Sequence, residues 1–200
     1  MDENTPPSGF SEILNDLQNL PWRKHAENLG IISILWTRLE LQLDILLVGL
    51  MTGTDETIQS VFLGSQSMRD KCNSAKVLGL HRKVSEQWYD QLTNLLNKID
   101  NEMRPNRNRL THDYWLASSK PTDDMVKLNH QPKVVRPQSR TYAIKYHDAE
   151  EVSISRLVVF QIQILSAIGE LMSLIGGLYS SDADVEKVES NSESESNSSQ

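Results

Sequence analysis

The sequence predicts a mainly α-helical protein: a helical bundle with a small β-hairpin inserted before its last long helix. Three observations carry that prediction. Apolar residues recur at three- and four-residue steps along most of the chain, the period of helices with one face in a core. Between residues 118 and 147 the period gives way to Pro-punctuated polar sequence with two alternating runs, Met125-Val126-Lys127-Leu128 and Thr141-Tyr142-Ala143-Ile144-Lys145-Tyr146. Hydrophobic residues make up 38% of the 200, enough for the core of one domain, while two full domains would be cramped.

Residues 1–10, with Pro6-Pro7-Ser8-Gly9, read as a flexible lead. A short helix is expected from about Ser11 to Leu20, with Ile13, Leu14, Leu17 and Leu20 on one face and Pro21 ending it. The strongest helix follows, because Ile32, Leu35, Trp36, Leu39, Leu43, Leu46, Leu47 and Leu50 keep the helical period up to Gly53. Thr54 can cap a short helix carrying Ile58, Val61 and Phe62 as far as Gly64. Ser67 caps one through Cys72, Ala75, Leu78 and Leu80. Ser85 opens the next, whose apolar face is Trp88, Leu92, Leu95, Leu96, Ile99 and Met103; Pro105 then either kinks it or opens a new turn. After the hairpin, Asp148 reads as an N-cap with Glu151 three residues on, opening a long helix through Val152, Leu157, Val159, Phe160, Ile164, Ile168, Leu171 and Ile175 that Gly176-Gly177 stops. Residues 11–180 therefore read as a single helical domain with residues 118–147 as its insertion, and residues 181–200, rich in Ser, Glu and Asn, as a disordered acidic tail.

The amino terminus has neither the basic start nor the apolar run of a secretory signal, and the lone Cys72 fits a reducing compartment, so a cytoplasmic protein is expected. The two longest apolar stretches read as core helices rather than membrane spans, since the first carries Arg38, Glu40 and Asp44 and the second Gln161, Gln163 and Glu170. No His or Cys spacing suits a metal, and no phosphate-cradling glycine loop or nucleophile elbow is present, so neither metal nor cofactor is expected.

The net charge is −7, which argues against coating nucleic acid by charge alone. Its distribution changes the picture: residues 181–200 carry −5, whereas residues 101–147 carry +5. That segment opens with Arg104-Pro105-Asn106-Arg107-Asn108-Arg109-Leu110-Thr111-His112-Asp113-Tyr114-Trp115, which is dense in groups that hold phosphate or move protons. Arg107 can grip a phosphate, His112 can exchange a proton near neutral pH, and Asn108 adds neutral hydrogen bonds. Arg104 and Arg109 are candidate substrate contacts, with Lys71 on a preceding helix, where ordinary surface charge is the simpler reading, and Trp115 as a candidate base-stacking ring, where packing is the simpler one. Five residues separate Arg107 from His112, so in an unbroken helix they point about 140° apart. The pair needs either a break in the helix or a second subunit to bring the two groups together.

Arg107-Asn108-Arg109-Leu110-Thr111-His112, followed by an aromatic, resembles the signature of the HEPN (higher eukaryotes and prokaryotes nucleotide-binding) family: an Arg and a polar residue, then a His after a short spacer. The resemblance implies a helical bundle of HEPN type that dimerises with its motifs facing. It also implies a metal-independent endoribonuclease of a bacterial toxin–antitoxin or defence type, with Arg107, Asn108 and His112 as catalytic residues. Other members of that family are non-catalytic, so the alternative is a helical interaction or regulatory module that binds RNA or a partner. Expected partners are a second copy of the chain, an RNA substrate, and an antitoxin or nucleotidyltransferase. Two departures stand out: Pro105 lies two residues before Arg107, and Asp113 takes a place where related sequences often carry a small residue. Asp113 could repel a phosphate or orient His112. The competing structural reading pairs Arg107 with an acid of a neighbouring helix and lets His112 cap its own helix end.

Elsewhere, Glu40 and Asp44 share a helix face and could do acid–base or metal work, although a solvated face is the simpler reading; with Arg38 they could also orient Arg107 if that helix packs beside the motif. Cys72 falls on an apolar face and reads as an inert core residue.

Overall fold

The computed structural model describes residues 22–82, 84–117, 125–128, 133–135, 143–145 and 150–197. Its elements are α1 (Arg23–Leu50), α2 (Glu56–Gly64), α3 (Met68–His81), α4 (Glu86–Lys98), a π-helical turn (Ile99–Met103), α5 (Arg104–His112), β1 (Tyr114–Ala117), β2 (Met125–Leu128), β3 (Lys133–Val135), β4 (Ala143–Lys145), β5 (Glu150–Val152) and α6 (Ile154–Asn197). The protein is mainly helical, with a small three-stranded antiparallel sheet. The helix expected at residues 11–20 and the expected cap Asp148 lie outside the described residues.

The chain groups into two compact units, one of Met1–Ile34 and Asn106–Ile162, the other of Leu35–Pro105 and Gln163–Gln200. Each boundary falls inside a helix, so no linker marks it in the sequence, which therefore reads as one domain.

The second unit is a bundle of helices. From α1 it buries Leu39, Leu43, Leu46 and Leu47, from α4 Leu92, Leu95 and Leu96, and from α6 Ile164, Leu171 and Leu174. These are the positions the helical period selects. Ser67 caps α3 in a capping box with Asp70, and Ser85 caps α4 by accepting from the Trp88 amide, both as expected. For α2 the cap is Asp55 rather than Thr54: its carboxylate accepts from the Thr57 amide at 2.8 Å, the shorter reach that an aspartate makes well. Gly79 lets α3 and α4 approach, since a Cβ there would stand 3.3 Å from Leu92. The Trp88 indole donates to Leu174 O at 3.0 Å, tying α4 to α6.

Gly176 and Gly177 do not stop α6, which continues to Asn197 through the stretch expected to be a disordered tail. Glycine weakens a helix by about 1 kcal/mol but does not forbid it, and no proline follows to end a helix already formed. The window Ile154–Tyr179 is long and apolar enough to cross a membrane, and 33% of it is buried within the protein.

The first unit carries the sheet, in the order β1-β2-β5, all antiparallel. The two alternating runs do not pair with each other; within the expected insertion it is β3 that pairs antiparallel with β4. Met125–Leu128 pairs with Tyr114–Ala117 and Glu150–Val152, while Ala143–Lys145 pairs with Lys133–Val135. Alternation marks a strand without naming its partner, and β1 and β5 are too short to show a period of their own. β5 also occupies the stretch expected to open the last helix. Ser153 takes the capping place instead, its hydroxyl accepting from the Arg156 amide at 3.3 Å.

Candidate functional site

Pro105 shapes the helix that carries the motif. In a continuous α-helix its ring would press on the carbonyl four residues back, and it has no N–H to offer that carbonyl. The chain widens to a π turn just before it, where the Arg104 amide reaches back five residues to Ile99 O, and α5 then runs without interruption from Arg104 to His112. The sequence left a kink or a new turn open; the outcome is a π turn inside a continuing helix.

Arg104 and Lys71 lie in the helical unit, and each meets a carboxylate there. Arg104 Nε donates to Asp100 Oδ1 at 2.7 Å, and Arg69 Nε approaches the same oxygen at 3.4 Å. Burial pushes the Asp100 carboxyl up, and the hydrogen bonds from Arg104 and Arg69 outweigh it, so the group lies below its usual value. Lys71 is held by Asp44, at 2.6 and 2.9 Å from its two oxygens. Asp44 thus serves Lys71, and Glu40 accepts from the Trp36 indole at 2.9 Å, so both carboxylates have partners inside the helical unit. Cys72 is fully buried, and burial, aided by the nearby Asp100 charge, pushes its thiol up to about 12, which leaves it no use as a nucleophile.

The rest of the motif belongs to the sheet-bearing unit. Arg107 and Asn108 are half-buried, and Arg107 Nη1 donates to Asn108 Oδ1 at 3.3 Å. The Thr111 hydroxyl donates back to Arg107 O at 3.0 Å, closing the last turn of α5. His112 is the final residue of that helix and is exposed. With α5 unbroken between them, Arg107 and His112 keep the divergence of about 140° that their spacing dictates.

One residue further, the chain turns inward. The Asp113 side chain is only 1% exposed, as is that of Lys127, and the two approach to 3.9 Å. Lys127 stands opposite Glu150 in the register and binds its Oε2 at 3.0 Å. Arg109 reaches both acids, Glu150 at 3.1 Å and Asp113 at 3.6 Å, and Arg156 also donates to Glu150. Burial works against the Glu150 carboxylate, but the bonds from Arg156 and Lys127 pull it down to about 2. Asp113 and Lys127 are thus the sealed members of a charge cluster whose other groups, Arg109, Glu150 and Arg156, reach solvent, and the charge of Arg109 is engaged there.

Trp115 follows on β1. Its indole donates to Leu110 O at 2.9 Å, and its ring lies 6.3 Å from that of His25, inclined by 53°. His25 is itself buried, with Nε2 at hydrogen-bond distance, 2.9 Å, from Val152 O. Trp115 thus fastens the end of α5 to the sheet, the packing role that competes with base stacking.

Sequence reasoning missed Lys127, Glu150 and His25. For Lys127 a signal existed: strand alternation places it on the same face as Met125, and that face is buried. Among the described residues, no group of three or more His, Cys, Asp or Glu side chains is arranged to hold a metal ion. Comparison with protein-family models, curated proteins and solved structures finds no match for this chain.

Proposed function

We propose that the chain is a HEPN-like, metal-independent endoribonuclease of a bacterial toxin or defence type, working as a homodimer through Arg107, Asn108 and His112. The observation that carries this reading is the end of α5. An exposed histidine there follows an Arg–Asn pair already joined by a hydrogen bond, on a helix that keeps the two groups of one copy apart. A second copy supplies the missing juxtaposition, because a twofold contact presents the same motif from both sides. In the reaction, His112 of one copy takes the proton of a ribose 2′-hydroxyl, and the 2′-oxygen bonds to phosphorus. The bond to the 5′-oxygen breaks, and the departing oxygen takes a proton from the protonated His112 of the other copy. Arg107 stabilises the charge on the phosphorane and Asn108 positions the phosphate. The products are a 2′,3′-cyclic phosphate and a 5′-hydroxyl.

The test is incubation of the purified protein with tRNA and mRNA in excess chelator. Cleavage is expected to persist in chelator and to vanish with His112→Ala; loss on chelation, or activity retained by His112→Ala, overturns the reading. Mixing His112→Ala with Arg107→Ala chains reports whether the two motifs act together.

One observation favours a second reading, a non-catalytic interaction or regulatory module that binds RNA or a partner such as an antitoxin or a nucleotidyltransferase. Arg104, Arg109 and Lys71, the side chains expected to hold phosphate, are each paired with a carboxylate. Under this reading no RNA is cut, and the full chain retains a defined partner in a pull-down that His112→Ala leaves intact.

A further inference from the structure

The sheet-bearing unit holds two sheets that pair charge in opposite ways. In the three-stranded sheet Lys127 stands opposite Glu150, unlike charges in register that approach to 3.0 Å. The two-stranded ribbon β3–β4 does the reverse: its register sets Lys133 opposite Lys145, with Val134 opposite Ile144 and Val135 opposite Ala143. Register partners share one face of a sheet, and like charges directly opposite destabilise it. Two strands of three residues are marginal even without repulsion, so this pair breaks a local folding rule, and such breaks are expected where function requires them. The sequence around the ribbon points the same way. Of the bases in residues 101–147, Arg104, Arg109 and Lys127 are each matched by a carboxylate. The stretch from Lys133 to Lys145 adds Arg136 and Arg140 between the two lysines and contains no acid.

We propose that the β3–β4 ribbon is a phosphate-binding arm that holds the backbone of a single RNA strand, with Lys133 and Lys145 on neighbouring phosphates. The proposal rests on RNA being the ligand, as above, but not on that RNA being cut. Register partners stand about 5 Å apart at their Cα atoms, and lysine carries a compact charge on a flexible stem, which suits successive phosphates of one strand. Duplex RNA fits less well, because its major groove is deep and narrow. The ribbon is also within reach of the motif. Leu128 ends β2 and Lys133 opens β3, which bounds their Cα separation at about 18 Å. Leu128 is the register partner of Tyr114, two residues past His112. Lys133 therefore lies within about 30 Å of His112, and one short strand can occupy both. Contacts to phosphate position a strand without reading its bases, so the arm adds affinity and no sequence preference.

The experiment titrates the full chain into a fluorescein-labelled 2′-O-methyl RNA of about 20 nucleotides, which lacks the free 2′-hydroxyl that cleavage consumes, and follows anisotropy between about 50 and 200 mM salt. Lys133→Gln and Lys145→Gln combined should weaken binding about tenfold and flatten the slope of log affinity against log salt by about 1.4, two phosphates at about 0.7 each. Lys24→Gln, at an exposed position of α1 in the same unit, should change neither. Lys145→Glu sets unlike charges in register, so the thermal midpoint should hold or rise while RNA binding falls further than with the two glutamines. A wild-type chain that does not bind, a double variant that binds with unchanged slope, or an equal loss with Lys24→Gln overturns the proposal. A lower midpoint with Lys145→Glu also overturns it, by removing the repulsion on which it stands. Lysine-dependent flotation with phosphatidylserine vesicles, without RNA binding, overturns it in favour of a lipid surface. Cleavage of ordinary tRNA is scored separately: RNA held by the ribbon but not cut leaves the arm standing and removes the ribonuclease, and cleavage indifferent to both lysines does the opposite.

Discussion

Among the described residues, the helical unit buries apolar side chains with Asp100 as the charged exception, whereas the sheet-bearing unit buries His25, Asp113 and Lys127 beside Ile32, Leu110, Met125, Val152, Leu157 and Phe160. The two interiors respond differently to damage. An apolar core loses stability by degrees as methylenes are removed, because each contact is weak and replaceable. A buried ion cluster is held by matched charge, and removing one member strands the others in a medium that will not solvate them.

The largest expected effect tests that contrast directly. Lys127→Ala should cost about 3–5 kcal/mol in denaturant unfolding, while Asp113→Leu combined with Lys127→Met should cost less than the sum of its single changes. Strictly additive costs would show that the two side chains are not energetically coupled. Next in size, Leu96→Ala in the helical core should cost about 3 kcal/mol, with no dependence on pH beyond that of the wild type.

Ser67→Ala, which removes a capping box, should cost about 1 kcal/mol, read as a drop in thermal midpoint. The pH dependence of the sheet-bearing unit is smaller. Glu150 titrates at about 2 when folded against an ordinary 4.5, so its stabilisation is complete above about pH 4.5 and is lost as pH falls toward 2. Because the carboxylate is partly solvated, the expected contribution is under about 1 kcal/mol, and Glu150→Gln should flatten the acid limb of a stability–pH curve. A curve unchanged by that variant would remove Glu150 from the account. Smallest of all, His112→Ala at an exposed helix end should move stability by no more than about 0.5 kcal/mol.

The same contrast explains what the sequence could reveal. The helices α1, α3 and α4 were legible because their buried positions follow the helical period and the starts of α3 and α4 carry Ser67 and Ser85, whereas α6 opens at Ser153 and runs past Gly176-Gly177. The sheet was legible only as alternation at Met125-Val126-Lys127-Leu128. Its partners β1 and β5 read as the end of the motif and the start of a helix, since pairing between distant segments leaves no local trace. At the candidate site, the charge-rich run around Arg107 and His112 was visible, and Asp100 and Asp113 stand one helical turn from Arg104 and Arg109, a spacing the sequence shows. The distant partners left no such trace: Asp44 lies 27 residues from Lys71, and Glu150 lies 41 residues from Arg109. A local charge count summed bases whose acids stand elsewhere in the chain.

The junction at His112 and Asp113 has a consequence for recognition. The imidazole projects from a backbone fixed on both sides, by the closing turn of α5 before it and by a carboxylate sealed into the interior after it. A molecule that docks there need not first organise a wandering loop, so little of its affinity is consumed in ordering the protein. Amide hydrogen exchange should register this as slow exchange at Asp113, whose N–H is bonded to Arg109 O at 3.1 Å, beside a side chain open to water.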